Sequence, residues 1–464
     1  MNAHEQGWVP DYLYRGGQFQ SGVAMFADTA GRITRFSDAP ADLQKATRLQ
    51  GRAILPGLVN VHSHSFQRAI RGRTEHRTSA GRDTFWTWRE AMYHAAGSLS
   101  PEDVYDVARM AFVEMLASGI TAVGEFHYLH RAPDGRSYEN PNLLAEYVAN
   151  AARSVGVRVA LLRTAYVRAG WQRAPNPGQA RFITRRVEDF IRHTEDLRQS
   201  VADDFAWVGI APHSVRAVPL NYLRECVAYA RSRGMKVHMH VSEQPAEVEA
   251  CIGEYGLRPI ELLQKHELLG PEFTGIHAIH ITEDEICHLA NAKARIGACP
   301  TTERNLGDGI GPADKWSEAG VATCFGTDSN VQIDLLEDAR EFEYHMRLKR
   351  LERAVLAPDS NIEGLARRLF EGATQNGADS IGASGGNLAE GRAADFFTID
   401  LSDLSIGGTG QESLLSNIVF GMDRTAIREV YVGGKLVIQN SRHALQEEIV
   451  ERFGMVQRRL WHQG

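Results

Sequence analysis

Eight short apolar runs recur through the middle of the chain, most of them separated by helical pattern, and no other feature narrows the fold so far. They occupy 57–61, 121–126, 158–166, 207–212, 236–241, 275–281, 295–299 and 321–325. Near-continuous apolar strands alternating with helices imply a parallel sheet with helical crossovers. Eight repeats over roughly 270 residues match the usual ~250 of a (β/α)8 TIM barrel. An open doubly wound sheet is the alternative, and it would put a site at a strand-order reversal instead. Helix punctuation agrees with the alternation. Ser100-Pro101-Glu102-Asp103 reads as an N-cap, a proline at the first helical position and a capping box, with Gly119 as the stop. Thr282-Glu283-Asp284-Glu285 is a second capping box.

The two ends carry a different pattern. Runs 23–28 and 32–36 flank Thr29-Ala30-Gly31, and runs 427–432 and 435–439 flank Gly433-Gly434, a strong hairpin signal. Residues 394–400 add another short strand. The ends are expected to meet as one small, discontinuous β-sandwich-like domain, 1–54 with 385–464, beside a barrel of 55–384.

Bulk properties exclude several classes. In 464 residues, 43% are hydrophobic and 23% charged, so the body of the chain is not expected to be disordered. A net charge of -7 carries no basic nucleic-acid footprint. The five cysteines, Cys226, Cys251, Cys287, Cys299 and Cys324, form no CxxC pair, which argues against a disulfide framework or a thiolate zinc site. Residues 1–20 lack the apolar stretch of a signal peptide, and no run approaches the ~20 residues of a membrane helix. The expected setting is cytoplasmic, with no nucleic-acid or membrane partner and a homodimer as the default assembly.

In such a barrel, chemistry belongs at the C-terminal ends of the strands. The first strand ends in His62-Ser63-His64, whose two imidazoles share a face. With 18 histidines in the chain, one such pair is expected about 0.7 times by chance, so position rather than motif gives it weight. The fifth strand ends in His238-Met239-His240, with Glu243 just beyond. His240 is nearer the mouth, and His238 reads as a core residue one layer lower. The sixth run holds His277 and His280, whose spacing puts one inward and one away without choosing between them. The eighth ends in Gly326-Thr327-Asp328-Ser329-Asn330. Three histidines and a carboxylate suit Zn2+ or another borderline divalent ion, which acidifies water for attack on an electrophilic carbon. Glu243 is the best-placed acid for a departing nitrogen.

Leu55-Pro56-Gly57, His62-Ser63-His64, His240 with Glu243, His277 and the 326–330 segment together resemble the amidohydrolase superfamily, in its one-metal deaminase branch. The resemblance implies His62, His64, His240 and Asp328 as ligands of a single ion, most simply Zn2+. It implies catalytic roles for His277, Asp328 and Glu243. Two-metal members carry a modified lysine on the fourth strand, where this chain has none. Narrower segments, around Gln67, 85–90, 125–128, 212–216 and 241–245, look like the formimidoylglutamate deiminase family. That family hydrolyses N-formimidoyl-L-glutamate to N-formyl-L-glutamate and ammonia in histidine degradation. By that resemblance Arg89, Tyr128, His213 and Arg216 hold the carboxylates of a small anionic substrate derived from an amino acid, and Gln67 sits near the formimidoyl group. The physical chemistry points the same way, since a dicarboxylate calls for charge-assisted donors, above all arginine. A deaminase of a heterocycle (purine or triazine-like) would share every metal ligand but would want stacking and amide contacts. A non-catalytic metal-binding barrel would have no need of Glu243 and Asp328.

Overall fold

The computed structural model describes residues 5–77 and 83–461. Eight parallel strands form the expected barrel: Leu58–Ser63, Ile120–His127, Arg158–Ala165, Ala206–Pro212, Val237–Val241, Phe273–His277, Arg295–Ala298 and Ala322–Phe325. Each pairs with its neighbour in sequence order. Closure between the eighth and the first is made at their ends by a bridge between Ser63 and Asp328. Side chains extend this seam. Asn60 Nδ2 donates to Thr327 Oγ1 at 2.7 Å, and Asn330 Nδ2 donates to Ser63 Oγ and to the His64 carbonyl, each at 3.1 Å. The polar seam therefore lies beside the residues singled out for chemistry. Both expected capping boxes, at Ser100 and Thr282, are present.

The termini build a second, nine-stranded sheet. The Gly433-Gly434 hairpin forms between Ile427–Val432 and Lys435–Gln439, with both glycines at positive φ as a primed turn requires. Two long strands, Gln6–Arg15 and Thr47–Pro56, were not anticipated. Gln6–Arg15 is largely buried on both faces, whereas Thr47–Pro56 is exposed or half-buried at its start and buried on both faces only from Ala53, so neither shows the alternation that marks a half-exposed strand. Pro10 is tolerated because the ladder shifts register between Pro10 and Tyr12. Thr47–Pro56 passes through Gly57 directly into the first barrel strand. A Cβ on Gly57 would collide with the Thr121 side chain, so the junction requires glycine.

The sixth strand stops at His277, four residues short of the expected end. The segment 68–98, after the first barrel strand, includes the helix Phe85–Ser98. Residues 78–82 of that segment lie outside the described residues. Among the described residues no helix is long and apolar enough to cross a membrane.

Sheet and barrel are joined by a buried ion pair. Arg158, on the third strand, donates from Nε and Nη2 to the two Asp395 oxygens at 2.8 and 3.1 Å, and both residues are buried. Asp395 also accepts the Gly433 amide at 2.7 Å. Removing one charge strands the other out of water. Arg158→Met is therefore expected to cost about 3–5 kcal/mol in denaturant unfolding. The double variant Arg158→Met/Asp395→Leu should recover part of that loss; equal destabilisation in both would show that the pair is not coupled.

Candidate active site

Four donors converge at the mouth. His62, His64, His240 and Asp328 each offer an atom, all within 4.8 Å of one another, and all four residues are buried. His62 comes from the first strand, His64 follows it, His240 is on the fifth, and Asp328 follows the eighth. Backbone bonds fix them directly: the Asp328 amide donates to the His62 carbonyl at 2.9 Å, and the His64 amide to the Asp328 carbonyl at 2.9 Å. Second ring nitrogens are also held. His64 Nδ1 lies 3.0 Å from the Phe126 carbonyl, and His240 Nδ1 lies 3.1 Å from that of His213. A carbonyl only accepts, so each Nδ1 carries the hydrogen and each Nε2 presents a lone pair.

Those lone pairs face one another. His240 Nε2 is 3.2 Å from His62 Nε2, and Asp328 Oδ1 is 3.3 Å from Nε2 of both His62 and His64. Burial pushes the His62 imidazole down to about 3 and holds His64 and His240 below their usual range, which favours the neutral, ligating form. Burial opposes the Asp328 anion, but the hydrogen bond and charge of His62, with His277 and His64, hold it well below the carboxylate range. Converging neutral imidazoles and a carboxylate fit a divalent cation of the zinc type.

His277 stands across from the carboxylate, with Nε2 3.8 Å from Asp328 Oδ2 and 3.8 Å from Glu243 Oε1. Its Nδ1 meets Glu303 Oε1 at 3.2 Å, and Glu303 is fixed in turn by the Cys299 amide at 2.9 Å. Burial disfavours charge on His277, but Glu243, Glu303 and Asp328 outweigh it and hold the imidazole up to about 10. Burial, then the charge of Asp328, raises Glu243, against the pull of His277 and Arg216. His280 turns away and meets the Asp308 carbonyl at 2.9 Å. His238 lies deeper, with Nε2 3.1 Å from the Ser380 carbonyl.

A cavity of about 60 Å³ opens onto Asp328, His64 and His240. Gln67, Arg89, Tyr128, His213 and Arg216 all line it, as does Glu243. Gln67 Nε2 donates to Tyr128 Oη at 2.8 Å. Arg89 reaches in from the helix Phe85–Ser98, its guanidinium 4.4 Å from the Trp86 ring centroid and its Nε without a partner. Arg216 donates to the Ala169 carbonyl at 2.9 Å. Burial and then the charges of Arg216, His64 and Arg89 keep His213 neutral. Neither Arg89 nor Arg216 forms an ion pair among the described residues, although each bears on the other electrostatically.

Several further residues complete the site. Tyr93 and Tyr166 line the cavity, and both hydroxyls accept from Gln179 Nε2, at 2.8 and 2.7 Å. Those bonds leave the phenol hydrogens to donate elsewhere. Glu303 follows the seventh strand by five residues, so its position at a strand end was a usable signal. Glu125 receives the Ser65 amide and hydroxyl, both at 2.7 Å, beneath the first histidine pair. Gly326 matters for a different reason: a Cβ there would lie 2.7 Å from His62 Cβ and 3.0 Å from its backbone nitrogen. Gly326→Ala is expected to displace His62 and lower bound metal several-fold, with far-UV circular dichroism unchanged. Full metal occupancy in that variant would contradict the tight packing behind His62.

The comparisons with known proteins accord with this geometry. Residues 53–437 match the amidohydrolase family. Over 420 residues the chain is 36% identical to formimidoylglutamate deiminase of Pseudomonas aeruginosa, covering 90% of this chain and 91% of that protein. Over 414 residues it is 28% identical to 5-methylthioadenosine/S-adenosylhomocysteine deaminase of Natronomonas pharaonis, covering 88% and 86%. Among solved structures, an amidohydrolase from Brucella melitensis superposes with a TM-score of 0.90 at 34% identity, over 98% of this chain and 99% of that one. The chain belongs to the amidohydrolase family and is a hydrolase acting on carbon–nitrogen bonds.

Proposed function

We propose that this enzyme hydrolyses N-formimidoyl-L-glutamate to N-formyl-L-glutamate and ammonia, as a step of histidine degradation in the cytoplasm. One observation carries the reading. Two half-buried guanidiniums, Arg89 and Arg216, line the same small cavity as the metal-type centre and have no anionic partner among the described residues. Burial opposes the charge on Arg216, but Tyr166 and Glu247 outweigh it, so the group stays cationic. A substrate with two carboxylates supplies the missing charge; a neutral purine does not. The 36% identity to a formimidoylglutamate deiminase supports the same choice.

His62, His64, His240 and Asp328 would hold one divalent ion, with Zn2+ favoured by the donor set. When bound, that ion supplies the Lewis acidity that makes water nucleophilic near neutral pH. The protein's own groups do the rest. Arg89 and Arg216, with Tyr128 and His213, hold the carboxylates, and Gln67 orients the amidine. Asp328 and His277 together handle the proton of the attacking water as one coupled pair. Glu243 delivers a proton to the departing nitrogen, so ammonia leaves and the formyl oxygen derives from water.

A deaminase of a heterocycle is the second reading. The aromatic walls Trp88, Tyr128 and Phe182 favour it, as does the 28% identity to a nucleoside deaminase. Ammonia release separates the two, with N-formimidoyl-L-glutamate offered beside adenosine and guanine and metal measured on the same sample. Turnover of the glutamate derivative alone, at about one metal per chain, is expected. In that assay Arg89→Met and Arg216→Met should each raise KM steeply. Glu243→Gln should lower kcat about 10²-fold or more with metal content unchanged. Turnover of a heterocycle would overturn the carboxylate roles while leaving the metal centre standing.

A further inference from the structure

A second cavity, of about 500 Å³, lies between the loops that follow the second and third barrel strands. Arg131, Arg163, Arg185, Arg186 and Arg192 line it, against only two acids, Glu139 and Asp189. Asp189 is already paired with Arg192 at 2.8 Å, and Glu139 is exposed. Arg163 is the decisive residue. It sits on the third strand and is 1% exposed. Its Nε donates to Asn142 Oδ1 at 3.1 Å, its Nη1 has no partner, and among the described residues it makes no ion pair. A buried charge without a counter-ion is expensive, and proteins rarely retain one without use.

The surroundings share the same sign. Burial and then the charge of Arg163 drive His193 down to about 4, and the same two causes act on His127 and His130. Two helices begin at this cavity, Leu143–Val155 and Val187–Val201, and no side chain caps either N-terminus. Asn142, the N-cap of the first, spends its side chain on Arg163 and on the His193 carbonyl at 2.8 Å. Arg186, the N-cap of the second, is a cation paired at the surface with Glu188 at 3.4 Å. The helix N-termini add positive potential to that of the arginines, offset in part by Glu146, Glu188 and Asp189 in their first turns.

We propose that this cavity is an anion-binding site, separate from the catalytic one, for a small ligand presenting oxyanion oxygens of carboxylate or phosphate type to Arg163. The segment 181–184 is the wall between the two sites. Phe182 faces the catalytic cavity, against Tyr128 at 4.8 Å, whereas Thr184 faces the second cavity and its amide donates to the Tyr166 carbonyl at 2.8 Å.

The test is isothermal titration of the metal-loaded enzyme with inorganic phosphate and, separately, glutarate, at ionic strength held with sodium chloride. At least one is expected to bind saturably, to raise Tm by about 1–3 °C at ten times Kd, and to do so equally in Arg216→Met, which disables the catalytic carboxylate site. Arg163→Met should abolish both effects and, without anion, be at least as thermostable as the wild type, since it removes an unpaired buried charge. The exposed double variant Arg185→Ser/Arg186→Ser cannot disturb the core, and it should weaken binding several-fold. Which ligand binds distinguishes the planar from the tetrahedral oxyanion. The site is refuted by no saturable binding of either anion up to about 50 mM, or by binding that Arg163→Met and the double variant leave intact.

Discussion

Three imidazole lone pairs and a carboxylate oxygen, drawn within 4.8 Å of one another out of water, form the constraint on which the rest of this structure depends. Burial of so many polar groups is costly, so the geometry must be imposed from outside the cluster. The barrel does this with backbone bonds at its closing seam. The chain between the eighth and first strands is tied through the ligands themselves, by the Asp328 amide on the His62 carbonyl and the His64 amide on the Asp328 carbonyl. Asn60, Thr327 and Asn330 complete the seam with side-chain bonds where ladder bonds are few. Fold closure and ligand positioning are thus one set of interactions.

The same economy governs charge. Asp328, Glu243 and Glu303 surround His277, and their charges hold its imidazole above the usual range. Arg89 and Arg216 line one cavity without an ion pair among the described residues, although Glu247 bears on Arg216. The first arrangement sets opposite charges against one another at close range, and the second does not. That difference separates the groups expected to move protons from those expected to hold an anion.

Much of this was legible in the sequence because strand ends in a (β/α)8 barrel are fixed by the apolar runs that precede them. His62, His64, His240 and Asp328 fell at the ends of such runs, and the four do converge. The choice between His277 and His280 could not be made, because it turns on where the sixth strand stops. Periodicity carried the run to 281, but the backbone leaves the strand at His277 with φ 71° and at Ala278 with φ 51°. Nor could the long strands Gln6–Arg15 and Thr47–Pro56 be seen, since the first is largely buried on both faces and the second passes from an exposed start to an end buried on both faces, so neither alternates. Gln179, which fixes Tyr93 and Tyr166, lies in a long connection without repeating pattern, where only three dimensions bring it to the pocket.

The left-handed backbone at His277 belongs to a wider pattern. Ser242, His277, Ala278, Asp328 and Asn330 all have positive φ, and all lie just where the fifth, sixth and eighth strands end. Side chains other than glycine resist that conformation, at about 1–3 kcal/mol each in sparsely populated regions. Glycine would relieve the strain, but at His277 and Asp328 it would remove the functional group, and at the others it would loosen the turn that aims one. The turn redirects the chain within one residue, so His277 and Asp328 address a common centre from strands on different sides of the barrel. Positive φ at these strand ends thus accompanies the turn of His277 and Asp328 toward the donor cluster, and the seam bonds of Asp328 and Asn330 hold that turn in place.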